Sequence, residues 1–171
     1  GGEDANPQLQ HSKMTLQEVK WLHNTVHIAI SDCIYHRLAS QNIASILVYF
    51  NLVNTLLFKP VENKGKCIFI FNGQTSGREH IYGGKIYTQI VRKLPNYDYI
   101  YSNSLNKSYE EMPKIYSKCF IMLRLTSYDG NANSVQECAA MNIPVVHNQS
   151  TYGLKWQNVD DIIAHILQNK P

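Results

Sequence analysis

The sequence has little charge and no long apolar run. Asp, Glu, Lys and Arg make up 17% of its 171 residues, and they balance to a net +3. A balance that small does not mark a nucleic-acid surface. No stretch of about 18 consecutive apolar residues occurs, which argues against a membrane-spanning helix. No secretory leader is recognisable, so the expectation is a cytoplasmic protein, or one peripheral to a membrane surface within a longer polypeptide. Cysteine is scarce as well. Cys33, Cys67, Cys119 and Cys138 form no CxxC pair, and three of them fall in or beside apolar runs. They read as buried free thiols of a reducing compartment rather than disulfides or metal ligands. No metal and no cofactor is expected. What the chain does have is 44% hydrophobic content over a one-domain length, enough for a real core.

Apolar runs alternate with helical patterns. Residues 1–12 show no apolar period and read as a loose terminus or cloning remnant. A helix is expected from Thr15 to about Thr25, then a short strand at 26–30. Ser31-Asp32 caps a helix to about Ala39, and 46–49 is another strand. Residues 51–60 are irregular. Cys67-Ile68-Phe69-Ile70-Phe71 is apolar on both faces, as a central parallel strand is. A loop with three glycines, Arg78 and His80 runs from 73 to 84, followed by a helix over 85–94. Strand 97–101, helix 109–117 and strand 119–125 come next. A helix from Asn133, a strand at 145–146 and a helix over 160–168 complete the series. Ile162, Ile163, Ile166 and Leu167 should face inward on that last helix. Strands alternating with helices predict an α/β fold with a doubly wound parallel, Rossmann-like sheet. Ligands of such sheets lie beyond the carboxyl ends of the strands. The loops at 72–85 and 126–133 follow strands and belong at that edge.

The second of these loops carries the most chemistry. It reads Asp129-Gly130-Asn131-Ala132-Asn133-Ser134-Val135-Gln136-Glu137 and is followed by an Ala-rich turn and Pro144-Val145-Val146. Asn133 can cap the helix, with Gln136 in the position of a capping-box partner. The helix start is a ready anion site. Glu137 lies one turn in, and Asp129 stands on the loop before it. Carboxylates accept hydrogen bonds from hydroxyls, so phosphate plus polyol is the ligand that fits. Blander readings stand beside this one. Glu137 could merely complement the helix dipole. Asn131, Asn133 and Ser134 could bind phosphate or only cap. Arg78 and Lys85 could be solvated loop cations. His80 and His147, as lone histidines, are more often incidental than catalytic. Tyr152 to Trp156 follows the last expected strand, where it could shape a sugar or base pocket.

The 129–146 stretch resembles the donor-sugar signature of GT-B glycosyltransferases, especially glycosyltransferase family 4. Glu137 matches the second acidic residue of that signature, and Pro144 follows it by seven residues, as in the family. Asp129 stands where the family has its first Glu, Ala132 where it often has Gly, and Asn142 replaces the Gly before the last strand. In the earlier loop Gly73 matches, Gln74 takes the place of an Arg, and Arg78 and Lys85 are the available cations. Residues 13–60 resemble the crossover between the two GT-B domains, and 61–171 the nucleotide-sugar-binding domain, so the expected fold is the donor-binding half of GT-B. The usual strand–helix pair between strand 97–101 and helix 109–117 is missing, so the base cannot be carried over.

The resemblance implies a retaining glycosyltransferase that needs no metal and takes a nucleoside-diphosphate sugar as donor. Arg78 and Lys85 would stabilise the leaving diphosphate, Glu137 would hold the ribose and Asp129 the transferred sugar. Gly73, Gly130, Asn131, Ala132, Asn133 and Ser134 would complete the donor site. The acceptor would be a glycan, lipid-linked or protein molecule, reached through an N-terminal acceptor domain or partner subunit. Two alternatives accompany this reading. One is a noncatalytic nucleotide-sugar-binding subunit of a split enzyme, and the other a GT-B-fold sugar-nucleotide epimerase.

Overall fold

The computed structural model describes residues 24–49, 52–62, 65–73, 80–126, 129, 131–150 and 152–171. The chain divides into two units. The first takes in the described residues up to 49 together with Asp129 and Asn131, and the second takes in the remainder from 52 onward.

The first unit is built on a parallel strand pair, β1 (His27–Ala29) and β2 (Ser45–Leu47), joined through helix α1 (Asp32–Ala39). Ser31 is the N-cap expected from the sequence, and its hydroxyl accepts the Ile34 N–H at 3.4 Å. Asn42 takes a left-handed conformation (φ 58°) in the turn that leads back to β2, a backbone state that Asn tolerates better than most residues. Asn24 and Thr25 form a turn rather than helix. The rest of the helix expected over 15–25 lies outside the described residues, as do positions 1–12.

The second unit holds a five-stranded, all-parallel sheet in the order β4-β3-β5-β6-β7. Its strands are β3 (Cys67–Ile70), β4 (Tyr99–Tyr101), β5 (Cys119–Leu123), β6 (Val145–Val146) and β7 (Gly153–Leu154). Helices α2 (Gly84–Lys93) and α5 (Val159–Asn169) pack on one face through Tyr87, Ile90, Ile162 and Ile166, against Ile68, Ile70, Ile121, Leu123 and Val146. Helices α3 (Met112–Tyr116) and α4 (Asn133–Ala140) pack on the other face through Tyr116, Val135 and Cys138, against Phe69, Met122 and Val145. Residues 68–70 and 121–123 therefore send alternate side chains into two different cores, as a strand covered on both faces must. This is the doubly wound, Rossmann-like α/β architecture that the alternation of elements predicts.

Register in the centre is interrupted once. Cys67 pairs with Cys119 but Ile68 pairs with Ile121, so Phe120 is an extra residue in β5. It packs with Ile121 on the α2/α5 side, as the inserted residue of a bulge can. Chain direction reverses at β3. The chain passes from β3 by α2 to β4 on one side, then back by α3 to β5 on the other. That reversal puts the switch point between β3 and β5, with the ends at Phe71 and Arg124 opening toward the ligand edge.

Several sequence expectations change in detail. The 109–117 helix is a 3-10 turn at Tyr109–Glu111 followed by the short α3. The second residue of α3 is Pro113, which removes a backbone donor and fits only near a helix start. Leu167 is 53% exposed, while Ile162 and Ile166 are fully buried. At 100° per residue Leu167 falls on the flank of the apolar stripe. β7 is an additional strand that the 145–168 region does not announce, because Gly153-Leu154 is too short to show a period. A Cβ at Gly153 would collide with the His147 carbonyl oxygen, so glycine permits β7 to lie against β6. No helix among the described residues is long and apolar enough to cross a membrane.

Candidate functional site

The carboxyl edge at the β3/β5 switch is built from side chains that each strand and helix delivers by periodicity. Phe71 and Arg124 follow β3 and β5 by one residue and point to the α3/α4 face, continuing the alternation through Phe69 and Met122. The Arg124 guanidinium lies over the Phe71 ring at 3.8 Å from its centroid. Its Nη1 donates to Ser134 Oγ at 3.0 Å. Its carbonyl oxygen is 2.9 Å from His147 Nδ1, which donates to it. One residue thus ties the ends of β3 and β5 to the first turn of α4 and to the segment after β6.

Glu137 is on the same face of α4 as Ser134, three residues on. It is only 5% exposed. Tyr116, at the end of α3, donates its hydroxyl to Glu137 Oε2 at 3.1 Å. Burial pushes the Glu137 carboxyl above its ordinary range, while the Tyr116 hydrogen bond and the Arg124 charge pull it back down. Burial likewise pushes the Tyr116 phenol up, reinforced by Cys138 and Glu137, so Tyr116 stays a donor at any physiological pH. The arrangement is a buried carboxylate held between a phenol and a guanidinium. Its oxygens can accept hydrogen bonds from a polyol.

On the opposite face Tyr87 closes the bottom of the crevice. Its hydroxyl lies 2.9 Å from the Phe71 carbonyl and 3.2 Å from that of Leu123, and it accepts the Leu125 N–H at 3.1 Å. A ligand at this edge must therefore sit above the strand ends rather than between them. Gly83, with φ 81°, starts α2, and a Cβ there would press on Leu125 at 3.0 Å. Lys85 stands exposed in the first turn of α2, as the sequence predicts for the residue that opens this helix. It lines a cavity of about 600 Å³ with Asn72, His80, Thr88, Val91 and Tyr101. Asn72 is fixed there because its Oδ1 accepts from Ser102 Oγ at 3.1 Å and from the Asn103 N–H at 3.0 Å.

The residues picked out from the sequence thus fall in different places. Gly73, Lys85, Ala132, Asn133, Ser134 and Glu137 belong to the second unit, while Asp129 and Asn131 belong to the first. Arg78 and Gly130 lie outside the described residues. Asn133 is not the cap expected of it. Ala132 takes that position with extended backbone and contributes no side-chain bond, and Asn133 is the first helical residue. The Gln136 capping-box partnership therefore does not form. His147 is fully buried and serves the β5–β6 junction. Trp156 donates its backbone N–H to Asn148 Oδ1 at 2.9 Å and packs its ring against the α5 core.

Arg124, Tyr116 and Tyr87 are the residues that reading the sequence passed over. The signal for Arg124 was present, since it is a single charged residue inside an otherwise apolar strand run. Tyr116 and Tyr87 carry no local signal, because their partners are 21 and 36 residues away in sequence. Among the described residues no group of three or more His, Cys, Asp or Glu could hold a metal ion. All four cysteines are free; Cys119 and Cys138 are buried, Cys33 and Cys67 half-buried. The chain matches no family model, no curated protein and no solved structure.

Proposed function

We propose that the chain is the nucleotide-sugar-binding domain of a retaining GT-B-type glycosyltransferase similar to family 4. The observation that carries this reading is Glu137. A carboxylate 5% exposed, one turn into α4 at the carboxyl edge of a doubly wound sheet, is costly to keep unless something uses it. Its hydrogen-bonded phenol and neighbouring guanidinium hold it in place for a ribose hydroxyl pair. The motif spacing from Glu137 to Pro144 supports the same reading independently of burial. On the other face Lys85 stands in the first turn of α2, beside His80 and Asn72, where it would meet the diphosphate. Charge accumulating on the leaving diphosphate would be balanced by Lys85 and by the N–H groups at the starts of α2 and α4. Arg78 would add to this, with the acceptor supplied by a further domain or subunit.

The test is a thermal-shift panel of uridine, guanosine, adenosine and cytidine diphosphate sugars at millimolar concentration. Ligand binding raises Tm through RT ln(1 + [L]/Kd), so even weak donors register. At least one should stabilise the protein, and Lys85→Ala should weaken that nucleoside diphosphate about tenfold or more while sparing the free nucleoside. No shift with any of the four bases would remove the donor-binding reading.

A further inference from the structure

Glu137 is buried, yet the use proposed for it needs it ionised. Something on the chain must make that compatible, and the geometry narrows the choice. Among the described residues, the charged or titratable groups around Glu137 are Tyr116 on α3, Arg124 after β5 and Cys138 on its own helix. Cys138 is fully buried and its thiol is pushed well up, mainly by desolvation and next by Glu137 itself, so it adds no positive charge. Tyr116 supplies a neutral hydrogen bond. Arg124 alone among these three carries a cation, and it is bonded to Ser134 on the turn below Glu137.

We propose that Arg124 is a positioning residue whose guanidinium, stacked on Phe71 and bonded to Ser134, fixes the first turn of α4 and holds Glu137 as an anion ready to accept ligand hydroxyls. The part concerning ligand rests on the nucleotide-sugar reading above; the coupling between Arg124 and Glu137 does not. The Phe71 ring orients the planar guanidinium, so that Nη1 meets the Ser134 hydroxyl at 3.0 Å. A guanidinium stacks and donates at the same time, which an ammonium cannot do as well. Arg124 is half-buried, so solvent screens its charge less than that of a surface residue. Through Ser134 the same contact sets how far α4 stands from the end of β3, and so where the carboxylate points.

The experiment follows the Glu137 side-chain carboxyl carbon by NMR titration in the wild type, Arg124→Met, Arg124→Lys and Ser134→Ala. Uridine and guanosine diphosphate binding is measured alongside by calorimetry at pH 6 and pH 8. In Arg124→Met the Glu137 midpoint should move up by about one pH unit, the size expected for removing a nearby opposite charge. Ser134→Ala should move it in the same direction by less, and Arg124→Lys should restore most of it. Nucleotide should weaken in Arg124→Met more at pH 6 than at pH 8, because the higher pH re-ionises Glu137.

Equal weakening at both pH values would mean that Arg124 contacts the ligand directly, and would overturn the positioning role. An unmoved midpoint in both Arg124→Met and Ser134→Ala would overturn the coupling itself. Should Arg124→Met fail to fold, Ser134→Ala still decides the matter through the midpoint. A moved midpoint in a protein that binds neither nucleotide supports the coupling while counting against the nucleotide reading, so the two failures are distinct.

Discussion

Glu137→Gln should stabilise this protein and impair its ligand binding at the same time. The side chain is 5% exposed, and burial is the largest influence on its carboxyl, pushing it up against the pull of Tyr116 and Arg124. A glutamine of the same shape keeps an oxygen for the Tyr116 hydroxyl at 3.1 Å and removes the desolvated charge. Because the folded-state pKa is raised, the folded form binds its proton more tightly than the unfolded form. Glu137 then contributes most favourably below its unfolded value of about 4.3, and that contribution is lost as pH rises through the folded midpoint. The glutamine variant should therefore melt above wild type at neutral pH, with the gap closing as pH falls toward 4. A chain of 171 residues shifts its Tm by about 2–4 °C per kcal/mol, so scanning calorimetry resolves even a gain near 1 kcal/mol.

Ligand binding should move the other way. A charge-assisted hydrogen bond is worth about 1.5–3 kcal/mol, so the nucleotide that binds wild type should weaken about ten- to hundredfold. Its 2′-deoxy analogue, which already lacks one hydroxyl, should lose less. If Glu137 merely complements the helix dipole, the variant would instead melt slightly lower, by about 0.3–1 kcal/mol, with no change in the ribose dependence. Lower stability together with unchanged nucleotide affinity would refute the reasoning.

Other perturbations test the frame that carries the site. Tyr87→Phe should lose about 1–3 kcal/mol in urea denaturation, because it strands the buried Leu125 N–H; an unchanged midpoint would show that water or another acceptor replaces the hydroxyl. Asn142 has φ 59° just after α4, so Asn142→Ala should cost about 1–2 kcal/mol while Asn142→Gly should be close to neutral. Equal losses in those two variants would mean that the Asn142 side chain, rather than its backbone, matters there.

The sequence by itself determined the class of fold and the order of its parts. The two-faced apolar runs at 67–71 and 119–125 could be buried only inside a parallel sheet, and the alternation with helical periods left a doubly wound arrangement as the consistent solution. Ser31 as a cap and Lys85 at the opening of α2 were legible for the same reason, since caps and helix starts depend on neighbours a few residues away. Elements whose identity depends on distant partners were not legible. β7 is two residues long and exists because Gly153 admits the His147 carbonyl and pairs with Val145. Phe120 as the extra residue in β5 follows from register against β3, which no local pattern encodes.

The site divides in the same way. Glu137 and Lys85 could be picked out because spacing places them on helix starts after strands. That Glu137 is buried, that Tyr116 bonds it, and that Arg124 lies across Phe71 onto Ser134 were decided only in three dimensions. The Ser134 and Tyr116 contacts join segments 10 and 21 residues apart, the Phe71 contact joins the ends of β3 and β5, and all of them depend on how α3 and α4 pack together on one face of the sheet. A carboxylate's chemistry is set by what surrounds it. Its neighbours along the chain fix its position, and its neighbours across the fold fix its charge.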